Sequence, residues 1–221
     1  MSAAPGIAIG DRLGHAERSP LERYRDDGPL ARFLGAVAGR LIPLPPLPIA
    51  LFGVIGLLAV VAAEGDSASD GTVAAAVAWF IVWAAVSSGR PHTDRFAWAL
   101  PGVVRVGEYG SVIWIGATVG ESSSAGAYAL IAVLAFRHYD LVYRARFQGT
   151  PPAAWLDVAL GGWEGRLILV ALLLVADALP AAFFMLAAVL AVVLASECIS
   201  SWARHAAAPV SIYEDEEDEG D

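Results

Sequence analysis

Ionisable side chains are concentrated in residues 132–146, AVLAFRHYDLVYRAR, which begin as an apolar run and end in charges. Read as a helix, Arg137, Asp140 and Arg144 fall at positions i, i+3 and i+7, so they share one face. His138 lies about 100° around the helix from Arg137, at about 3.6 residues per turn. Charges inside an apolar span are costly and usually face a partner or a water-filled cavity. The stretch therefore predicts a polar site inside a membrane protein.

A second charged stretch is expected at a matching depth. Arg105 is followed by Glu108 and Tyr109 at i+3 and i+4, on the same helical face. Both Arg105 and Arg137 are expected roughly 10–15 Å below the inner membrane surface, at about 1.5 Å per residue. The ligand-binding candidates are Arg90, His92, Arg105, Tyr109, Arg137, Tyr143, Arg144, Trp163, Glu164 and Arg166, and the candidates for catalysis are His138, Asp140 and Glu108.

Arginine determines the chemistry expected of this site. All 14 basic residues of the chain are arginine, and the planar guanidinium suits phosphate or carboxylate. A cytosol-facing basin with surplus positive charge would bind a phospholipid headgroup, a nucleotide-activated lipid or a polyprenyl phosphate. The alternative is a set of interhelical ion pairs, such as Arg105 with Asp140 or Glu108 with Arg137, that only fix packing. The residues leave open whether the chain is an enzyme, in which His138 would be the base.

Neither a metal site nor a cofactor is predicted. On a helix, His138 and Asp140 lie about 200° apart and cannot share a ligand. The single cysteine, Cys198, excludes a disulfide within the chain. The glycines of GGWEGR, residues 161–166, could hold an anion on backbone amides at a helix start. Their alternative role is a glycine-rich turn with Trp163 as an interfacial anchor.

The elements that position these residues are predicted to be membrane helices. The chain has 221 residues of which 57% are hydrophobic, and several continuous apolar runs approach the roughly 20 residues that cross a bilayer. We predict an all-α, polytopic membrane helix bundle with six transmembrane helices. The spans are expected at about residues 48–63, 72–88, 96–119, 127–144, 166–179 and 181–200.

The distribution of arginine predicts the orientation of the chain. The loops after spans 1, 3 and 5 carry no arginine, whereas the N-terminal segment, the other loops and the tail carry nearly all of it. The positive-inside rule then places both termini in the cytoplasm of a multi-pass plasma-membrane protein. Residues 1–28 are predicted to be disordered, residues 29–203 to form the transmembrane domain, and residues 204–221 to be an acidic disordered tail. An amphipathic helix on the inner membrane surface, or a plain tether, is expected over residues 29–41.

Net charge argues against nucleic acid as a partner. The chain carries a formal charge of −9 at pH 7, most of it in the terminal EDEEDEGD, and nucleic-acid-binding domains are usually basic.

Four motifs occur in order between the predicted spans: RPHTDR, VGEYG, FRHYDLVYRARFQG and GGWEGR. Over about residues 29–202 the chain resembles an actinobacterial integral-membrane domain of unknown function. That domain is often fused C-terminally to nucleotidyltransferase-like and CDP-alcohol phosphatidyltransferase domains. The resemblance implies a place in phospholipid or glycolipid headgroup assembly, with either enzyme as a partner, and it names no catalytic residue.

The phosphatidyltransferase signature itself is incomplete in this chain. Residues 27–32, DGPLAR, match only its DG-x2-AR part, and Tyr24 stands where the signature has an aspartate. The first prediction is therefore an accessory membrane domain that binds a phosphorylated lipid or headgroup intermediate. The alternatives are a transporter or flippase, although no internal repeat is visible, and a non-catalytic membrane scaffold.

Overall fold

The structure is a computed structural model, which describes residues 20–90, 95–148, 156 and 160–207. The described residues form helices and connecting turns without strands, so the predicted all-α class is confirmed. The α-helices are α1 (Pro20–Arg25), α2 (Pro29–Ala38), α3 (Pro46–Glu64), α4 (Asp70–Ser87), α5 (Leu100–Val119), α6 (Glu121–Tyr143), α7 (Gly162–Val175) and α8 (Ala181–Ala207). A π-helical turn, Arg144–Gln148, continues α6.

Four helical segments are long and apolar enough to cross a membrane, which indicates a membrane protein. They are Pro46–Ser67, Asp70–Ser87, Glu121–Tyr143 and Ala181–Ala203. Helices α5 and α7 coincide with the other two predicted spans, but α5 contains Arg105 and Glu108. Helix α7 has only 14 residues, or about 21 Å at 1.5 Å per residue, which is shorter than the roughly 30 Å hydrocarbon core. The six-span count therefore stays a prediction.

Small residues let the long helices pack closely. A Cβ at Gly107 of α5 would lie 2.2 Å from the Phe80 ring of α4, and one at Gly126 of α6 would lie 2.7 Å from Cβ of Phe183. Glycine at such positions allows close approach in membrane bundles. Since Gly126 and Phe183 both lie near the start of their helices, α6 and α8 run parallel.

The segment before α3 departs from the predicted disorder of residues 1–28. Residues 20–25 form α1, and Arg25 and Asp26 are buried at 0% and 5% exposure. Composition suggested disorder because the partners of Asp26, on α6 and α7, lie more than 100 residues away in the chain. Residues 1–19 and 208–221 lie outside the described residues, while residues 204–207 belong to α8 rather than to the tail.

Helix α2 lies where an amphipathic helix was predicted over residues 29–41. It runs over Pro29–Ala38 and continues as a 3-10 turn over Gly39–Leu41. Pro29 occupies the first helical turn, where its missing N–H is not needed. The chain then enters α3 at Pro46, after a proline-rich link.

Candidate functional site

Asp26, in the turn between α1 and α2, lies at the centre of a buried polar cluster. Nη2 of Arg166 donates to its Oδ2 at 3.0 Å. Nη2 of Arg137 lies 3.6 Å from Oδ1, and Nε2 of His138 lies 3.8 Å from Oδ2. Three nitrogen-bearing side chains from α6 and α7 thus surround a carboxylate that comes from outside the long helices.

The surroundings keep this carboxylate ionised. Burial alone would raise the pKa of Asp26, but the guanidinium of Arg166 opposes it, followed by His138 and Arg137. These groups together hold the pKa of Asp26 well below its ordinary value. Asp26 therefore acts as an anion at the centre of the cluster.

Helix α5 supplies a second carboxylate to the same group. Nε and Nη2 of Arg166 donate to Oε1 of Glu108 at 2.9 and 2.7 Å, and Arg105 pairs with the other oxygen of Glu108. The i, i+3 placement of Arg105 and Glu108 on one face is therefore observed. The hydroxyl of Tyr109 shares a hydrogen bond with Nδ1 of His138, 2.5 Å away, which joins α5 to α6.

The turn that carries Asp26 is anchored to the ends of α4 and α5. The guanidinium of Arg25 donates to Oγ of Ser87 at 2.9 Å and to the carbonyl oxygen of Ala84 at 3.0 Å. Arg105 donates to the carbonyl oxygens of Tyr24 and Arg25. Arginine thus binds the segment partly through backbone carbonyls and not only through charge pairs.

Glu164 of α7 attaches the start of α2. Its side chain accepts hydrogen bonds from the backbone N–H groups of Gly28 and Ala31, each at 3.0 Å. In an ordinary capping box, two side chains in the first turn of the helix itself accept hydrogen bonds from these two backbone N–H groups. Here one carboxylate from a distant helix accepts both, because Gly28 has no side chain to cap α2.

The GGWEGR motif, residues 161–166, packs against the turn that carries Asp26. A Cβ at Gly28 would lie 2.2 Å from the carbonyl oxygen of Gly161, so the two backbones touch. Trp163 is fully buried, packs against Phe80 at 5.4 Å and donates from Nε1 to Asp27 at 2.8 Å. The reading of Trp163 as an interfacial anchor is therefore wrong, and the glycines make room for Gly28.

We call this group the Asp26 cluster. It comprises Arg25, Asp26, Asp27, Arg105, Glu108, Tyr109, Arg137, His138, Trp163, Glu164 and Arg166. Its four arginines are matched by four carboxylates, so the predicted surplus of positive charge is wrong for this group. The difference arises because Asp26 and Asp27, in the segment assumed to be disordered, supply two of the negative charges.

Arg144 and Asp140 lie in a separate group that joins α6 to α8. Arg144 pairs with Asp140 at 2.9 Å and makes a two-point contact with Glu197, at 3.0 and 2.8 Å. It also donates to Ser201 at 3.0 Å. Arg137 and Arg144 are seven residues apart on one helix, or about 10 Å along the axis, and therefore reach different neighbours.

Comparison with known proteins places the chain in a family. Residues 15–219 match DUF5941, a family of unknown function. The chain belongs to this family. No curated protein and no solved structure matches it. A DUF5941 chain with this arrangement fits the predicted resemblance to a membrane domain of unknown function, while the actinobacterial origin and the fusion partners remain predictions.

Two further predicted site residues of this DUF5941 chain, Tyr143 and Arg90, are not part of the Asp26 cluster. Tyr143 is 37% exposed and stacks on Tyr139, with ring centroids 6.0 Å apart. Arg90 follows the end of α4, and its Nε is buried without a hydrogen-bond partner among the described residues. His92 lies outside the described residues.

Sequence reasoning missed four charged residues of the DUF5941 chain. Arg25, Asp26 and Asp27 precede the first predicted span, and Glu197 lies near the end of the last one. A local signal existed for the first three, since Asp-Gly-Pro is a common turn and helix-start sequence. The expected pairs, Arg105 with Asp140 and Glu108 with Arg137, are replaced by Arg105 with Glu108 and Glu108 with Arg166.

Proposed function

We propose that this DUF5941 protein binds a phosphorylated lipid or headgroup intermediate at the Asp26 cluster. It would serve as an accessory domain in phospholipid or glycolipid biosynthesis at the cytosolic face of the plasma membrane. The observation that supports this proposal is the convergence of Arg137, His138 and Arg166 on Asp26, a carboxylate from outside the long helices.

The carboxylate of Asp26 does not accept hydrogen bonds from all the nitrogen donors that surround it. Nη1 of Arg166 and Nε2 of His138 are buried and have no hydrogen-bond partner within the described part of the chain. Nε2 of His138 lies 3.8 Å from Oδ2 of Asp26, beyond ordinary hydrogen-bond distance. A phosphate monoester carries three acceptor oxygens and up to two negative charges. It would therefore satisfy more of these donors than the single carboxylate does.

Binding at this site requires the Asp26 turn to move aside. The turn is short, and its attachments to α4, α5 and α7 are hydrogen bonds and ion pairs that a competing anion can replace. In this arrangement Asp26 holds the arginines in place while no phosphate is bound. If the site also performs chemistry, His138 is the candidate base. That role requires the tautomer in which Nδ1 donates to the Tyr109 oxygen and Nε2 is unprotonated, whereas donation from Nε2 to a phosphate requires the other tautomer.

A nanodisc experiment with phosphatidic acid, a phosphomonoester lipid, tests the proposal. We expect Asp26→Asn to raise the amount of phosphatidic acid retained in native mass spectrometry about tenfold, because it removes a competing negative charge. Arg137→Gln should abolish retention. Asp66→Asn, at an exposed position in the turn after α3, is the matched control and should leave retention unchanged.

The charge balance of the Asp26 cluster favours a second candidate, a non-catalytic membrane scaffold. In that function the four arginines and four carboxylates only fix the packing of helices, as buried ion pairs can. The scaffold predicts that Asp26→Asn lowers the melting temperature without any gain of phosphatidic acid. That outcome would refute lipid binding at the cluster.

A further inference from the structure

Helix α2 presents three different stripes of side chains. Ala31, Gly35 and Gly39 are buried at i, i+4 and i+8 and face the end of α4. The approach is close, since a Cβ at Gly35 would lie 2.5 Å from the backbone nitrogen of Gly89. Oγ of Ser88 donates to the carbonyl oxygen of Ala31 at 2.8 Å, which fixes α2 against α4.

The second stripe is apolar and exposed. Leu30, Phe33, Val37 and Leu41 are 37%, 63%, 59% and 79% exposed, and their spacing of three or four residues places them on one face. The chain enters α3, one of the candidate membrane spans, at Pro46. This proximity places the apolar face of α2 at the membrane surface, where such helices lie with their apolar side in the lipid.

The third stripe is cationic and borders a cavity of about 350 Å³. The cavity is lined by Glu22, Asp27, Arg32, Ala36, Arg40, Ser88 and Gly89. Arg32 and Arg40 are eight residues apart on α2 and its 3-10 continuation, about two turns of helix. Both point to the same side of α2, next to its apolar face.

The two arginines retain unused donor groups. Nη2 of Arg32 donates to the carbonyl oxygen of Asp27 at 2.6 Å. Arg40 is exposed, and neither arginine has an acidic partner among residues 20–90, 95–148, 156 and 160–207. The carboxylate of Asp27 is already used by Arg25 and Trp163, at 2.9 and 2.8 Å. The cavity therefore offers two guanidinium groups, with Glu22 as a further acid in its wall.

We propose that this cavity binds the headgroup of an anionic glycerophospholipid from the surrounding membrane. The phosphodiester would lie between Arg32 and Arg40, and the acyl chains would run along Phe33 and Val37 into the bilayer. The volume is at the lower end of the range for small-ligand sites, and juxtamembrane arginines favour anionic lipid. This site shares Asp27 with the Asp26 cluster, but its two arginines lie outside that cluster, and the proposal does not depend on the function proposed there.

Lipid selection from a mixed bilayer tests the proposal. The full chain is reconstituted in nanodiscs of equal phosphatidylglycerol and phosphatidylcholine, and the lipids that it retains are measured by native mass spectrometry. We expect the wild type to retain phosphatidylglycerol preferentially. Arg32→Gln and Arg40→Gln should each lower this preference about fivefold, as loss of one juxtamembrane cation implies.

Two comparisons make the outcome decisive. Arg146→Gln removes an exposed arginine from the turn after α6 and should leave the preference unchanged. Phe33→Ser keeps both guanidinium groups and should lower retention of both lipids, because it removes part of the acyl-chain surface. Equal retention of the two lipids by the wild type would overturn the proposal. An equal loss of preference in Arg146→Gln would also overturn it, since the selection would then reflect overall charge.

Discussion

Replacing Glu164 with glutamine tests how the segment before α3 is attached to the bundle. Its buried carboxylate accepts the N–H groups of Gly28 and Ala31, each at 3.0 Å. In Glu164→Gln one oxygen becomes an NH2 group, so one backbone donor faces another donor and the remaining hydrogen bond loses its charge. A hydrogen bond to a charged group contributes about 1.5–3 kcal/mol, and a buried donor left without an acceptor costs a similar amount. We expect the free energy needed to open this segment locally to fall by about 2–3 kcal/mol.

Amide hydrogen exchange measures this loss directly. A change of 2–3 kcal/mol corresponds to about a 30- to 150-fold increase in the open population, and exchange at Gly28 and Ala31 should accelerate by that factor if local opening controls it. Glu121→Gln is the matched control because Glu121 is exposed in the first turn of α6. Unchanged protection of α1 and α2 in Glu164→Gln would refute the idea that this carboxylate caps α2.

Two further substitutions test the packing of the bundle, with thermal unfolding in detergent as the measurement. Gly35→Ala places a Cβ 2.2 Å from Oγ of Ser88 and should destabilise the protein by about 1–3 kcal/mol. Gly102→Ala, where nothing lies within 4 Å, should be neutral or stabilising by up to about 1 kcal/mol. Arg144→Gln should cost about 3–5 kcal/mol by leaving Glu197 buried and unpaired, and adding Glu197→Gln should recover most of that loss. Equal effects of the two alanine substitutions, or no recovery in the double variant, would contradict the packing described here.

The all-α class and the positions of the long helices could be predicted from the sequence because both depend on local patterns. Continuous apolar runs predicted α3, α4, α6 and α8 near their observed bounds. The pairing of Arg105 with Glu108 is likewise local, since i, i+3 neighbours on a helix meet regardless of the rest of the fold.

The centre of the polar cluster could not be predicted, because its contacts are long-range. Asp26 and Arg166 are 140 residues apart in the chain, and no periodic pattern links them. The turn around Asp26 is short and polar, which by composition is typical of a disordered segment. Only the three-dimensional arrangement shows that the charged side chains of this turn are part of the buried Asp26 cluster.

The separation of Asp26 from its partners also sets an order for assembly. The Asp26 turn leaves the ribosome before Glu164 and Arg166, which follow only after α6 has been made. The turn therefore cannot form its contacts with α7 while the earlier helices are being made, although its contacts with α4 and α5 do not depend on α7. Attachment of the Asp26 turn to α7 is then a late step in biogenesis, and we infer that it joins α5, α6 and α7 into one bundle.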